Sequence, residues 1–174
     1  MALYLVRHGE SVPKEINPDC PLSDNGLVEV KRMAELAAEK NTELTKILHS
    51  GKKRAEQTAI IFRVILKPLF GLDQSIGLNP NDDIFYILGL IEQAENIMIV
   101  GHLPFLEKLA SYLVTGDEEE PVVQFQTAGI VCLDKDDKGK WEIKWTLMPY
   151  EKSKFNTQRP DGLHPVDLRH RLHL

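Results

Sequence analysis

The chain opens on an unbroken apolar run, Leu3-Tyr4-Leu5-Val6, that stops at Arg7-His8-Gly9. Continuous apolar character bounded by charge and glycine predicts a short, fully buried strand over residues 2–6. Pro13, Pro18 and Pro21 make residues 11–22 a loop. Ser23-Asp24-Asn25-Gly26 supplies helix-capping residues. Val28, Met33, Leu36 and Ala37 then follow helical spacing, which predicts a helix to about Lys40. Leu44–His49 predicts a second strand, and residues from about Lys53 to Leu66 a second helix, stopped by Pro68. Residues 71–81 read as loop, with Asp82 and Asp83 capping a short helix through about Glu92. Asn96–Gly101 predicts a parallel-type strand ending at His102, and Leu103–Leu113 another helix, closed by Thr115-Gly116.

From Pro121 the pattern changes. Val122–Phe125, Ile130–Asp134 and Trp141–Met148 predict strands, the last two joined by the turn-rich segment Lys135 to Gly139. Strands alternating with helices, then a hairpin, predict an α/β fold: a mixed, mostly parallel sheet with helices on both faces. A length of 174 residues suits one domain, expected over 1–150. Residues 151–174 form a polar C-terminal extension with two prolines and three histidines, either loose or packed on the same domain.

Composition narrows the partners. A formal charge of −5 argues against nucleic acid or an anionic membrane. No apolar stretch approaches the ~18 residues of a membrane span, and the N-terminal run is short and lacks the basic flank of a signal peptide. Cys20 and Cys132 lie far apart, in no metal-ligand spacing, and read as free thiols of a reducing cytosol. The expected location is cytoplasmic.

Three stretches share one design: an apolar strand ending in cationic residues before a turn or helix. They are Val6-Arg7-His8-Gly9, Leu48-His49-Ser50-Gly51-Lys52-Lys53-Arg54, and Val100-Gly101-His102-Leu103-Pro104. Singly, each has a plain explanation: a chance dipeptide, a solvated helix start, a core histidine. In open α/β sheets, however, ligands bind beyond the carboxyl ends of parallel strands. If these strands are neighbours, Arg7, His8, Arg54 and His102 converge there, beside helix N-termini that favour anions. Arginine forks match phosphate oxygens, and a histidine in the correct tautomer can attack phosphorus and carry the phosphoryl group.

LVRHGES resembles the RHG signature of the histidine phosphatase, or phosphoglycerate-mutase-like, superfamily. HSGKKRAEQTA resembles its second block and VGHLPFLEKL its third. The likeness to the SixA-type phosphohistidine phosphatases runs over roughly residues 2–149, including PLSDNG, the LNPNDD loop and FQTAGIVCLD. It implies a three-layer sandwich without a lid insertion, since only 47 residues, 55–101, separate Arg54 from His102. It also implies His8 as nucleophile, with Arg7, Arg54 and His102 completing the phosphate pocket and Ser50 as an added donor. Gly9 would let the backbone approach closely, a nearby carbonyl would fix the His8 tautomer, and no metal or cofactor is required.

Related enzymes carry a separate acid for the leaving oxygen. Asp83 fits the acid of the PxxD pattern, although helix capping explains it equally, and Glu10 is either functional or structural. Lack of an acid is tolerable for phosphohistidine, whose ring nitrogen leaves already protonated, but not for an alkyl ester. The expected activity is therefore hydrolysis of phosphohistidine on a protein, such as a phosphotransfer domain or phosphocarrier, through a phosphohistidine intermediate on His8. The alternatives are a broad phosphomonoesterase for small phosphorylated substrates and a non-catalytic phosphate- or phosphoprotein-binding module. Cys20 sits in no CxxxxxR loop, so a cysteine phosphatase is not expected.

Overall fold

The computed structural model describes residues 1–150; the expected extension 151–174 lies outside the described residues. The chain runs β1 (Ala2–Arg7), α1 (Asp24–Glu39), β2 (Lys46–His49), α2 (Lys53–Leu66), β3 (Leu72–Gln74), α3 (Phe85–Gln93), β4 (Ile97–Gly101), α4 (Phe105–Thr115), β5 (Ile130–Lys135) and β6 (Trp141–Leu147). The six strands form one sheet in the order β3-β2-β4-β1-β5-β6. β3, β2, β4 and β1 are mutually parallel, while β5 runs antiparallel to β1 and β6 antiparallel to β5. This is the mixed α/β fold expected, with only β3 and α3 lying between α2 and β4 and so no lid insertion.

The continuous apolar strands are continuous because both faces of the sheet are covered. Side chains alternate along a strand: Leu3, Leu5, Ile97 and Ile99 join a core with Ile87 and Ile91 of α3 and Phe105, Leu106 and Leu109 of α4. Tyr4, Val6, Met98 and Val100 face the opposite core, made with Val30 and Met33 of α1 and Ala59 and Phe62 of α2. Leu5, Val6, Ile99 and Val100 are fully buried, each contributing about 1.5–3 kcal/mol on transfer from water. The two central strands are thus anchored at every residue up to their carboxyl ends. Among the described residues no helix is long and apolar enough to cross a membrane. Cys20 and Cys132 are both free thiols, and burial pushes the Cys132 thiol up to about 11.

Two expectations fail for identifiable reasons. Residues 72–74, expected as loop, form the edge strand β3, whose Asp73 and Gln74 are exposed and which pairs only with β2. A three-residue edge strand with one half-buried apolar residue leaves no periodic trace. Val122–Phe125, expected as a strand, has no ladder partner among the described residues. The Phe125 N–H goes to the Glu107 carboxylate and its carbonyl to the Arg7 guanidinium, so side chains take the place of a neighbouring strand.

The start of α1 is built against the loop after β1. Ser23 caps the helix, its hydroxyl oxygen accepting the Gly26 N–H at 3.0 Å. The Ser23 N–H donates to the Glu10 carbonyl at 3.0 Å, and its hydroxyl donates to the Glu10 carboxylate at 2.6 Å. Glu10 is therefore engaged structurally. A Cβ on Gly26 would collide with the Glu10 carbonyl, and one on Gly9 with Val30. Glycine at both positions lets α1 press against the loop that follows His8.

Alanine at an open helical glycine stabilises by about 1 kcal/mol, whereas overpacking costs about 1–3 kcal/mol. We expect Gly26→Ala to lower stability in urea unfolding. Gly89→Ala in α3, where a Cβ meets nothing within 4 Å, should raise it. Equal responses of the two variants would contradict the close approach.

Candidate active site

The parallel register brings three strand ends together. Arg7 pairs with Gly101 across β1 and β4, and Val100 with His49 across β4 and β2. Beyond the strands, the His8 N–H donates to the Gly101 carbonyl at 3.1 Å, and the His8 carbonyl accepts the Ala128 N–H at 3.1 Å. The peptide on either side of the His8 side chain is held by β4 and by the chain entering β5. As expected from the sequence, His8 and His102 lie side by side, with ring centroids 5.0 Å apart.

His8 Nδ1 lies 2.7 Å from the Gly9 carbonyl. A carbonyl only accepts, so Nδ1 carries the ring proton and Nε2 keeps its lone pair. Arg54 agrees with this assignment, since its Nε–H donates to His8 Nε2 at 3.2 Å. Burial pulls the His8 pKa down to about 4; the Gly9 bond opposes that shift, and the positive charges of Arg54 and Arg7 add to it. His8 is thus neutral at pH 7 with its nucleophilic nitrogen aimed at a guanidinium.

His102 is 2% exposed. Its Nε2 lies 2.6 Å from the Ser50 hydroxyl, and its Nδ1 is buried without a partner. Burial first, then His8, Arg54, Lys52 and Arg7, pull its pKa down to about 3. Ser50, expected as a phosphate donor, is buried and placed against His102, and its oxygen also accepts the Lys52 N–H at 3.4 Å. Arg7 donates from Nη1 to the Phe125 carbonyl at 3.0 Å, while its Nε is buried and unpartnered. Burial lowers the Arg7 pKa, and Glu107 counters that.

Two guanidinium groups and two neutral imidazoles, with unpartnered buried nitrogens on Arg7 and His102, make a cradle for an anion. Among the described residues, no carboxylate bonds to any of these four side chains. Among the described residues, no group of three or more His, Cys, Asp or Glu is arranged to hold a metal ion. Arg54 lines a groove together with Pro18, Asp19, Gly51, Lys52, Lys53 and Glu56. Asp83 stands elsewhere: it is exposed, its Oδ1 accepts the Phe85 N–H at 2.9 Å at the start of α3, and it lines a separate groove with Ile76, Asn79 and Tyr86. That groove contains none of Arg7, His8, Arg54 or His102.

Thr58 has a part that sequence reasoning did not assign. Fully buried in α2, its Oγ1 accepts the Gly9 N–H at 3.1 Å and donates to the Arg54 carbonyl at 2.8 Å. One hydroxyl thereby fixes the loop bearing His8 against the helix turn bearing Arg54. Gln57 Oε1 similarly accepts the Leu22 N–H at 2.7 Å. The signal was a polar run, Glu56-Gln57-Thr58, between the alanines of the AEQTA stretch.

The chain is similar to several known proteins. The family model of the histidine phosphatase superfamily (branch 1) matches residues 3–70. Phosphohistidine phosphatase SixA of Escherichia coli (strain K12) is 25% identical over 155 residues, spanning 86% of this chain and 94% of that protein. The solved structure of the protein histidine phosphatase SixA complexed with tungstate superimposes with a TM-score of 0.76 at 24% identity, covering 86% of this chain and 97% of the other. A mycobacterial glucosyl-3-phosphoglycerate phosphatase, in complex with VO3, shares the fold at a TM-score of 0.62 and 13% identity, over 83% and 97% of the two chains.

The depressed histidines set a pH dependence. His8 and His102 bind protons more weakly in the folded protein than at the unfolded value of 6.5. Between about pH 6.5 and pH 4 the unfolded chain therefore holds more protons, so stability is fullest above pH 6.5 and falls on acidification through that window. NMR titration should place the His8 imidazole near pH 4 and show it moving upward in Arg54→Ala. Titration of His8 near 6.5 in the intact protein would contradict the burial and charge assigned to it.

Proposed function

We propose that the chain, which resembles the histidine phosphatase superfamily over residues 3–70, is a phosphatase of that kind and hydrolyses phosphohistidine on a protein, with His8 as the nucleophile. The coarser statement, a phosphatase of this family, rests on the family match and the SixA relative. The observation that carries the finer reading is the tautomer of His8: Nδ1–H locked on the Gly9 carbonyl and an Nε2 lone pair facing Arg54. A residue that only bound phosphate would serve better as an imidazolium, yet His8 is held neutral.

In the proposed cycle the phosphoryl group enters between Arg7, Arg54 and His102. Arg54 turns its Nε–H from His8 to a phosphoryl oxygen, freeing the lone pair. His8 Nε2 then bonds to phosphorus as the bond to the leaving nitrogen breaks, and the substrate imidazole departs carrying the proton it brought. The guanidinium groups offset charge on the transferring group. Water next attacks phosphorus, the P–Nε2 bond breaks with its electron pair returning to His8, and the water's protons leave with the inorganic phosphate. A leaving group already protonated needs no separate acid, in keeping with Asp83 being committed to the start of α3.

Residues 1–150 carry all the residues used in this scheme, as one domain. The free thiols Cys20 and Cys132 support a reducing, cytoplasmic setting. The proposed partner is a phosphorylated protein, such as a phosphotransfer domain or phosphocarrier, and neither nucleic acid nor a membrane.

Turnover of a phosphohistidine protein labelled with radioactive phosphate, compared with a panel of phosphate esters, tests the proposal. The phosphohistidine protein should be preferred, and label should reside transiently on the wild type and not on His8→Ala. Arg54→Ala should lower kcat/KM by about 10²–10³. Preference for esters would make the protein a phosphomonoesterase instead. A wild type that neither labels nor hydrolyses any phosphate would make it a binding module.

A further inference from the structure

Glu107 stands in the first turn of α4, half-buried, five residues beyond His102. Its Oε1 accepts the Phe125 N–H at 3.1 Å, and the Phe125 carbonyl accepts the Arg7 Nη1–H at 3.0 Å. We infer that Glu107 is a positioning residue which, through Phe125, aims the Nε edge of Arg7 at the phosphoryl oxygens. The inference rests on the proposed reading of Arg7 as a phosphate ligand.

The chain around Phe125 has no strand neighbour, so its position depends on the side chains that engage it. Glu107 ties its N–H to the helix that follows His102, and the Phe125 side chain is buried in the core shared by α3 and α4. The carbonyl is thereby presented at a fixed point to Arg7. A guanidinium offers its five donors in a rigid fork. Committing Nη1 to Phe125 leaves the edge that carries Nε, and Nε is buried with no protein partner. A buried unsatisfied donor carries a desolvation penalty, and an incoming oxyanion relieves it. The Glu107 carboxylate also raises the Arg7 pKa against the lowering by burial, without a hydrogen bond to any of the four pocket side chains among the described residues.

A glutamate in the first turn of a helix also favours the helix dipole. That simpler role would affect stability alone and would act independently of Arg7. The two are separated by a double-mutant cycle on the full chain, using inorganic tungstate as probe and the phosphohistidine protein as substrate. Glu107→Met keeps side-chain length and helix propensity but removes the acceptor. It should weaken tungstate binding and raise KM about tenfold, as expected for losing one charge-assisted bond, with kcat changed far less. Glu107→Gln retains an acceptor oxygen and should stay within about threefold of wild type, the charge being the smaller part.

In an Arg7→Ala background, Glu107→Met should cause no further loss, because its effect passes through Arg7. The inference is overturned if Glu107→Met binds tungstate like the wild type, if glutamine does not rescue, or if the loss is equally large without Arg7. Should Glu107→Met prove too unstable to assay, the Glu107→Gln result with and without Arg7 decides alone: a large loss that persists without Arg7 refutes it. If the wild type binds no tungstate and turns over no phosphorylated substrate, the reading of the pocket falls first and this inference with it.

Discussion

The hydrogen bond from the His8 N–H to the Gly101 carbonyl is the junction on which the site depends. It extends the β1–β4 ladder one residue past the strand, at the point where both chains leave the sheet. Because β4 sits between β1 and β2, that single extension sets His8 beside His102, and the turn after β2 adds Ser50 and Arg54. The energy that holds it comes from far below the pocket, from strands buried on both faces up to their last residues. Loops of comparable length without such anchoring would not keep two imidazoles at a fixed distance.

Electrostatics follow from that crowding. Four nitrogen-rich side chains share a space where charge is poorly solvated, and the molecule divides the burden unequally. The guanidinium groups remain charged while both imidazoles are held neutral, His8 at about 4 and His102 at about 3. Each neutral imidazole has one nitrogen committed: His8 Nδ1 to the Gly9 carbonyl and His102 Nε2 to Ser50. Arg7 Nε is buried without a partner among the described residues, and a guanidinium N–H can only donate, so it demands an acceptor oxygen. This demand favours a phosphoryl group over a neutral ligand.

Much of this was legible in the chain. The apolar runs ending in Arg7-His8, His49-Ser50 and Gly101-His102 announced both the parallel strands and the residues they bring together, because continuous burial and an abrupt polar stop are local properties. The α2 boundaries, Lys53–Leu66, follow from Pro68 and the apolar period. What escaped was non-local. Val122–Phe125 has the composition of a strand, but its partners are Glu107 and Arg7, distant in sequence and invisible to periodicity. Ser50, expected as a donor to phosphate, lies 2.6 Å from His102 Nε2, a juxtaposition that only the packing of β2 against β4 determines. Thr58 gave a polar letter on an apolar helix face without saying which two backbones it joins.

In the proposed cycle, backbone geometry dictates which nitrogen of His8 attacks phosphorus. The direct measurement is phosphorus–nitrogen NMR on the 15N-histidine-labelled protein, quenched in base during turnover of a phosphohistidine protein. The account predicts a phosphoramidate signal coupled to Nε2 of His8, the nitrogen left free by the Gly9 carbonyl. Phosphate on Nδ1, on another residue, or on no residue while product accumulates would contradict it.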